Sequence, residues 1–347
     1  MFDNASFDDH EGVHFFSDRE SGLRAVIAIH STALGPSSGG TRMWDYASGD
    51  AMLTDALRLS QGMSYKNAMA SIPHGGGKAV IWGNSKTDKS EALFRAFGRA
   101  VDSLQGKYWT AEDVGIDTAD IEIAAKETRY AAGLTTGSAA SGDPSPITAL
   151  GVFKGIQQTA KRAFGDSDLK GKTVAVQGVG SVGGYTARHL AEAGANLVIT
   201  DIDQDVLADV SGRTGAKIVA PDEIYDVAAD IFSPNALGSV INEETLKRLK
   251  VKVIAGGANN QLATPEMGEQ VRRAGILYAP DYVINGGGII NVAAEISGSY
   301  SRDWVDQKVD TLIETLGSVL DDALASDRPT NDVADEIARA RIATASA

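Results

Sequence analysis

The chain has 347 residues, a length that favours two domains over one. Hydrophobic residues make up 43% and charged residues 22%, which is ordinary for a globular protein and too apolar for a disordered one. A formal charge of −14 disfavours binding to nucleic acids or anionic membrane surfaces, and the absence of cysteine excludes disulfides and thiolate metal sites.

The N-terminus and the hydropathy pattern give no sign of export or of membrane insertion. The first residues, MFDNASFDDHEGVHFF, are acidic and lack the basic region and apolar core of a signal peptide. No segment reaches the ~18 consecutive apolar residues of a membrane helix. We therefore expect a cytoplasmic protein with neither membrane nor nucleic-acid partners.

Strands and helices alternate irregularly up to residue 135. β-Branched residues predict a strand over 24–30, and a glycine turn is expected to lead into a short strand over 78–82. Apolar residues at helical spacing predict helices over 50–70 and 90–105, the second with Ser90 as its N-cap. This pattern indicates a first α/β domain.

A stretch rich in Gly, Ser, Thr and Pro over 134–146 predicts a domain boundary or hinge. From Lys172 onward, short apolar strands alternate strictly with helices, which is typical of a parallel sheet with βαβ crossovers. Helices are expected to end the chain, over 303–325 and 331–343. The predicted fold class is therefore α/β, with two domains.

A glycine motif that follows a strand and opens a helix consists of Gly178, Val179, Gly180, Ser181, Val182 and Gly183. Gly178 would permit a tight turn, Gly180 would let the backbone approach a pyrophosphate, and Gly183 would let the helix pack closely. Asp201 ends the next strand, where a carboxylate would bind the adenosine ribose and repel a 2′-phosphate. The motif predicts NAD rather than NADP as the cofactor; its structural alternative is a glycine-rich turn without a ligand.

Two lysines lie on either side of a second glycine run, Gly75–Gly77, which lacks the spacing of a P-loop. Each of Lys66 and Lys78, taken alone, is typical of a solvated charge. Together, two ammonium groups in one pocket would bind a carboxylate, and their repulsion would favour a neutral lysine that can act as a general base. Glu112 and Asp113 follow an aromatic strand end, where they could add a carboxylate or simply cap a loop.

Eight motifs occur in a characteristic order: GGTRMW (39–44), MSYKNAMA (63–70), GGGKAVI (75–81), TAEDVG (110–115), GVGSVG (178–183), SPNALG (233–238), GGANNQL (256–262) and APDYVINGGGIINVA (279–293). Together they resemble the amino-acid dehydrogenases of the glutamate/leucine/phenylalanine/valine family, above all its leucine and phenylalanine members. The resemblance spans residues 25–295, which is most of the chain.

The resemblance implies both a fold and an activity. An N-terminal α/β substrate and oligomerisation domain would occupy 1–135, a Rossmann-type NAD-binding domain 136–324, and a C-terminal helix within 325–347 would return to the first domain. The implied reaction is the reversible, NAD-dependent oxidative deamination of an apolar L-amino acid to a 2-oxo acid and ammonia. The enzyme is expected to form a homo-oligomer.

The resemblance also implies roles for single residues in the chemistry. Lys66 would bind the substrate α-carboxylate, Lys78 would activate water, and Asp113 would carry protons to and from the amino group. Gly39 and Gly40 would line the substrate pocket through their backbone.

Further residues would hold the cofactor and the substrate side chain. The implied cofactor contacts outside the glycine motif are Arg42, Thr148, Asp201, Ile202, Asn235, Ala236 and Asn259. Asn260 would approach the substrate carboxylate, although the sequence leaves open which of the two neighbouring asparagines makes that contact. The implied side-chain pocket consists of Ser38, Met63, Ala111, Ile289 and Val292.

This pocket contains no group that could pair a buried charge, so charged substrates are expected to be rejected. Leucine, valine, isoleucine and phenylalanine are the candidate substrates, with branched chains slightly favoured. Ser38 would deepen the pocket relative to the leucine enzymes, whereas Ile289 would narrow it.

Two other functions remain open at this point. A non-catalytic NAD-binding sensor would keep the fold and lose the chemistry, but the presence of Lys66, Lys78 and Asp113 together argues against it. A decarboxylating or C1-transfer Rossmann dehydrogenase would need an acidic metal cluster or a different base, and neither is evident. The five histidines form no metal-binding pattern, so no metal is expected.

Overall fold

The computed structural model describes residues 2–135, 143–298 and 300–346. The chain forms two compact units, which confirms the predicted two-domain α/β fold. The first unit comprises Met1–Asp143, Ile289–Val305 and Ala338–Ala347, and the second comprises Pro144–Gly288 and Asp306–Ile337. Most of the expected hinge, residues 136–142, lies outside the described residues.

The first unit is built on a mixed sheet flanked by helices. Its strands are β1 (Gly12–Asp18), β2 (Leu23–Ser31), β3 (Ser37–Ser38), β4 (Thr41–Trp44), β5 (Gly75–Trp82) and β6 (Tyr108–Trp109). Its first three helices are α1 (Gly49–Met69), α2 (Glu91–Asp102) and α3 (Thr118–Ala124). The strand order is β1-β2-β5-β3-β6, and β4 also pairs with β5.

Alternation along the central strands gives this sheet two apolar faces. On one face Val26, Ala28 and Val80 pack against Met52 and Leu57 of α1. The residues between them on β2 and β5 face a second cluster that includes α2. The predicted cap is confirmed, because the Ser90 side chain accepts a hydrogen bond from a backbone N–H at the start of α2.

The predicted glycine turn before residue 78 is wrong, because β5 already begins at Gly75. Gly75 and Gly76 pair with β3 in parallel, and Gly76 and Gly77 pair with β2. A Cβ at Gly76 would overlap the backbone nitrogen of Ser64 in α1. The glycines are therefore strand residues that let the helix backbone approach the sheet.

The second unit contains a fully parallel six-stranded sheet. Its strands are β7 (Thr173–Gln177), β8 (Asn196–Thr200), β9 (Lys217–Ile218), β10 (Ile231–Pro234), β11 (Val253–Ile254) and β12 (Leu277–Tyr278). Its helices are α4 (Ser145–Phe164), α5 (Ser181–Glu192), α6 (Gln204–Thr214), α7 (Glu243–Arg248), α8 (Met267–Arg273), α9 (Asp281–Ile284) and a 3₁₀ turn at Glu223–Asp226. The strand order β12-β11-β10-β7-β8-β9 is that of a Rossmann fold, with its switch point between β7 and β10.

Three long helices contain residues of both units: α10 (Gly287–Ile296), α11 (Arg302–Ser326) and α12 (Thr330–Ser346). The last two confirm the terminal helices expected from the sequence. Among the described residues, no helix is both long and apolar enough to cross a membrane.

The observed unit boundaries differ from the expected ones. Segment 289–305 belongs to the first unit, where the Glu295 carboxylate accepts a hydrogen bond from the Gly133 N–H. The chain returns to that unit only at 338, where Arg339 and Arg341 donate hydrogen bonds to α1. Residues 325–337 stay with the second unit, because the side chains of this segment bond to residues such as Arg272 and Tyr282.

Candidate active site

A buried lysine–carboxylate pair lies in the first unit. Lys78 shares the face of β5 that packs against α1, two residues before Val80. Its Nζ lies 2.7 Å from Oδ2 of Asp113, and the residue is only 5% exposed. Burial alone would raise the pKa of Asp113, but Lys78 and Arg42 outweigh burial and lower that pKa. Asp113 is therefore anionic beside the ammonium group.

Arg42 joins this pair to a second carboxylate. Its Nε lies 3.2 Å from Oδ2 of Asp113, and its Nη1 lies 3.0 Å from Oδ2 of Asp55. The Asp55 carboxylate also accepts hydrogen bonds from the Tyr46 hydroxyl, at 2.7 Å, and from Arg58, at 3.1 Å. Burial opposes the charge of Arg42, but the two carboxylates outweigh it and raise the pKa of the guanidinium.

Nothing in the sequence pointed to Asp55 or Tyr46 as site residues, since neither lies in one of the eight motifs. Tyr46 precedes α1 and Asp55 lies in its second turn. Only the fold brings these two residues close to Arg42 on β4. The contact with the cofactor implied for Arg42 stays a prediction.

Lys66 lies in the last turn of α1, just after residues of that helix that approach the sheet closely. A Cβ at Gly76 would overlap the backbone of Ser64, and a Cβ at Gly39 would lie 3.1 Å from Cγ of Met63. Residues 63, 64 and 66 therefore share the part of α1 that packs on Gly39, between β3 and β4, and on β5, the strand of Lys78. Lys66 is half-buried there, and a cation is favoured at a helix C-terminus.

Gly40 and Ser38 lie at the same end of the sheet. A Cβ at Gly40 would overlap the Glu112 carbonyl and come within 2.9 Å of the Asp113 Cβ, so only glycine fits beside this carboxylate. The Ser38 hydroxyl accepts a hydrogen bond from Asn67, at 3.1 Å, and is fully buried. The Ser38 hydroxyl oxygen therefore already has a protein partner. The role of Ser38 in the substrate pocket stays a prediction.

Three of the expected pocket residues, Ala111, Ile289 and Val292, belong to the first unit. The Cα of Gly133 lies next to Ala111, because a Cβ on this glycine would be 4.0 Å from the Ala111 Cβ. The Gly133 N–H donates a hydrogen bond to Glu295 of α10, at 2.6 Å. Val292 lies three residues before Glu295 in α10, and Ile289 lies three residues before Val292, so each neighbours the next one on the helix surface.

The glycine motif of the second unit forms a loop between β7 and α5. Gly178 has a φ of +87°, a left-handed conformation that favours glycine. A Cβ at Gly183 would overlap the Gly178 carbonyl, whereas a Cβ at Gly180 would have no described neighbour within 4 Å. Asp201, directly after β8, accepts a hydrogen bond from the Val179 N–H at 2.7 Å. The motif is thus folded as expected, with space beside Gly180.

The surroundings of this loop fit a dinucleotide. No described side chain caps the first turn of α5, so its backbone N–H groups can bind an anion. Ile202 is 89% exposed after Asp201, and Leu237 is 74% exposed after Ala236, which itself lies against Gly178. Exposed apolar side chains beside an anion site are suited to covering a flat base.

The asparagines predicted near the nicotinamide form a hydrogen-bonded group. Asn235 donates to Ser233 and accepts from the Gly257 N–H, at 2.8 Å. Asn285 donates to Oδ1 of Asn259, at 2.8 Å, and to the Gly257 carbonyl. Asn285 lies in the last of the eight motifs but was not predicted as a site residue. Nothing in the sequence links it to Asn259.

Thr148 and Asn260 also lie in the second unit. The Thr148 hydroxyl donates to the Pro144 carbonyl, and a Cβ at Gly288 would lie 2.9 Å from its oxygen. Asn260 has a φ of +51°, a left-handed conformation that asparagine tolerates better than most residues. Their contacts with substrate or cofactor stay predictions. Among the described residues, no cluster of three potential metal ligands is found.

The fold and these two sites define a class of protein: a Rossmann-type dehydrogenase whose other unit carries a buried lysine–aspartate pair. Residues 10–130 match the family described as Glu/Leu/Phe/Val dehydrogenase, dimerisation domain, and residues 141–212 and 199–345 match the family described as Glutamate/Leucine/Phenylalanine/Valine dehydrogenase. The chain belongs to this glutamate/leucine/phenylalanine/valine dehydrogenase family, which confirms the resemblance carried by the eight motifs.

Individual relatives agree over almost the whole chain. A leucine dehydrogenase of Geobacillus stearothermophilus is 51% identical over 336 residues, which are 97% of this chain and 91% of that protein. A phenylalanine dehydrogenase of Bacillus thermotolerans is 46% identical, over 96% of this chain and 89% of that protein. The crystal structure of an L-tryptophan dehydrogenase from Nostoc punctiforme has a TM-score of 0.85 and 42% identity, with 97% of each chain covered.

Proposed function

We propose that this enzyme catalyses the reversible, NAD-dependent oxidative deamination of an apolar L-amino acid to the 2-oxo acid and ammonia. The observation that carries the proposal is the buried contact between Lys78 and Asp113. An amine that is partly shielded from water and held beside a carboxylate is suited to exchanging protons with a bound substrate. Leucine, phenylalanine and valine dehydrogenases among the relatives support this choice.

Three side chains of the first unit have defined parts in this chemistry. Lys66 binds the substrate α-carboxylate as a point charge. Once Cα has lost its hydride and become the carbon of an imino acid, Lys78, in its neutral form, takes a proton from the water that adds to this carbon, and Asp113 gives a proton to the amino group, which leaves as ammonia. NAD, when bound, accepts the hydride from Cα. Gly39 and Gly40 let the backbone pack closely beside these side chains, because a Cβ at either position would overlap a neighbouring carbonyl.

The glycine loop supports NAD as the cofactor. The backbone of Gly180 and the first turn of α5 bind the pyrophosphate, with Asp201 directed to the adenosine ribose. The negative charge of Asp201 would repel the 2′-phosphate of NADP. Family membership by itself supports only use of NAD or NADP.

Apolar side chains support an apolar substrate. Ala111, Ile289 and Val292 offer no partner for a charged group, and Glu295 is already bonded to Gly133. Leucine, isoleucine and valine are favoured over phenylalanine, and glutamate and lysine are excluded by the cost of burying an unpaired charge.

We also propose a homo-oligomer. β1 is a terminal strand of its sheet, and Phe15 on it is 64% exposed, so the edge can pair with a second copy of the chain. The matched family description of residues 10–130 as a dimerisation domain supports this assembly. The cytoplasmic location stays a prediction.

Measuring NADH formation with a panel of L-amino acids tests the proposed function. We expect turnover with leucine, valine and isoleucine and little with glutamate. An NAD-binding protein that forms no NADH with any amino acid would instead be a sensor. Turnover only with hydroxy acids would indicate a different Rossmann dehydrogenase.

A further inference from the structure

Five charged groups form a cluster that includes the Lys78–Asp113 contact. Three are cations, Lys78, Arg42 and Arg58, and two are carboxylates, Asp113 and Asp55. With Lys78 protonated, the group carries one excess positive charge. With Lys78 neutral, two guanidinium groups face two carboxylates. The charge-balanced state of the cluster is therefore the one in which the lysine can act as a base.

Arg42 is the residue that makes this balance possible at Asp113. Its Nε contacts the same oxygen, Oδ2, that Lys78 contacts. Without Arg42, loss of the lysine proton would leave Asp113 without a described cation next to it, and a half-buried carboxylate without a partner is costly. With Arg42 in place, Asp113 keeps an ion pair in both protonation states of Lys78.

Asp55 fixes the guanidinium in this position. The Asp55 carboxylate binds Nη1 of Arg42. It also accepts hydrogen bonds from Tyr46, in the loop after β4, and from Arg58, on α1. Burial alone would raise the pKa of Asp55, but the contacts with Tyr46 and Arg42 outweigh burial and lower that pKa, so Asp55 stays charged. Arg42 thus lies between two permanent anions.

Among the other described titratable groups near Lys78, only Lys66 changes this charge count. Tyr46 and Tyr108 are neutral, because burial raises the pKa of each hydroxyl. Lys66 lies on α1 and adds a positive charge when no substrate carboxylate is bound. Glu112 precedes Asp113 but is exposed and accepts a hydrogen bond from Thr118.

We propose that Arg42, held by Asp55, is a positioning residue that keeps Asp113 paired and anionic while Lys78 loses and regains its proton. This inference rests on the proposed function, since it assigns Lys78 as the base. The positive charge of Arg42 favours the neutral lysine, and the negative charge of Asp55 moderates that effect. Changes at Arg42 and Asp55 therefore act on the lysine with opposite sign.

The test is the pH dependence of kcat/KM for leucine, which reports groups of the free enzyme. In Arg42→Gln the ascending limb should move to higher pH by about one unit, because a nearby positive charge is removed. In Asp55→Asn it should move to lower pH by a few tenths of a unit or more, because a nearby negative charge is removed. Arg42→Lys, which keeps the charge, should recover most of the first shift.

Arg95→Gln is a matched control, because this arginine of α2 also bridges two carboxylates, Glu91 and Glu127, away from the lysine. Its profile should coincide with that of the unaltered enzyme. Limbs that stay in place in both site variants, or that move in the same direction, overturn the proposal. If Arg42→Gln does not fold, the direction of the shift in Asp55→Asn decides alone. Absence of NADH formation by the unaltered enzyme overturns the proposed function as well.

Discussion

Nζ of Lys78 lies 2.7 Å from Oδ2 of Asp113, inside a unit whose sheet buries the lysine almost completely. A lysine side chain is ordinarily protonated at neutral pH, whereas general-base catalysis needs its neutral form. Activity in the direction of deamination should therefore rise from neutral to mildly alkaline pH.

Replacing the base should abolish most turnover. We expect Lys78→Ala to lower kcat by at least ~10²-fold, since general-base catalysis contributes on that scale, while NADH binding is largely kept. Steady-state kinetics and fluorescence titration of NADH measure the two quantities. Lys89→Ala is a control, because Lys89 also pairs with aspartates of the same unit, Asp117 and Asp120, and its loss should leave kcat unchanged. Near-normal turnover in Lys78→Ala would remove the lysine from the mechanism.

The glycine loop offers a pair of substitutions that separate binding from folding. Gly180→Ala adds a Cβ to open space, so the melting temperature should stay close to that of the unaltered protein while NADH affinity falls at least ~10-fold, or ~1.4 kcal/mol. Gly183→Ala puts a Cβ against the Gly178 carbonyl and should lower the melting temperature clearly. Thermal unfolding and NADH titration of both variants check this. Unchanged NADH affinity in Gly180→Ala would place the pyrophosphate elsewhere.

Cofactor choice should depend on Asp201. We expect NAD to be preferred over NADP by at least ~10-fold, because a carboxylate close to a phosphate costs on the order of 1.4 kcal/mol or more. Asp201→Ser should narrow the ratio of the two kcat/KM values, and a serine can still accept the Val179 hydrogen bond. Asp203→Ser, which can still cap α6, is the matched control and should keep the ratio. Equal use of both cofactors by the unaltered enzyme would contradict the role of Asp201.

Local patterns in the sequence were sufficient for much of the fold. The parallel strands of the Rossmann unit and the capped helix after Ser90 follow from residue spacing and cap chemistry alone, and both are confirmed. The glycine run at Gly75–Gly77 was mistaken for a turn, because glycine is generally disfavoured inside β-strands. Its true role depends on α1, whose backbone leaves no room for a Cβ at Gly76.

Contacts between distant parts of the chain could not be predicted in this way. Arg42 and Asp55 lie on successive elements, but their ion pair depends on how β4 and α1 pack in three dimensions. Segment 289–305 was assigned to the wrong unit for the same reason, since its tie to Gly133 through Glu295 joins residues 162 positions apart. The sequence motifs identified Lys78, Asp113 and the glycine loop as candidate site residues. The ion-pair network around Asp113 could be seen only in the three-dimensional structure.

A buried histidine predicts a loss of stability in mild acid. Burial lowers the pKa of His74 from 6.5 to about 4, and its Nδ1 has no partner among the described residues. Because the unfolded chain binds a proton more readily, the contribution of His74 is fully present above pH 6.5 and is lost as the pH falls toward 4. Between pH 7 and pH 5 this amounts to about 2 kcal/mol in the free energy of unfolding.

Denaturant unfolding of the unaltered protein and of His74→Asn at pH 7 and pH 5 checks this expectation. The variant should lose less stability between the two pH values, whatever its stability at pH 7. Asp113, whose pKa is lowered by its cationic partners, contributes stability above the ordinary aspartate range and loses it only in stronger acid. An identical loss in both proteins would show that His74 does not titrate in this range.

The expected substrate range follows from the apolar pocket that we propose at Ala111, Ile289 and Val292. Changes of one methylene in such a pocket shift selectivity by only ~1–3 kcal/mol, so leucine, isoleucine, valine and phenylalanine should all be used, with branched chains slightly ahead. Glutamate and lysine should be essentially unused, because a buried charge would find no partner there. Val292→Ala should improve phenylalanine relative to valine by enlarging the pocket, whereas Val319→Ala, in the core of the second unit, should leave that ratio unchanged. Measuring kcat/KM across this set decides the matter, and a value for glutamate within tenfold of the best apolar substrate would show that the pocket lies elsewhere.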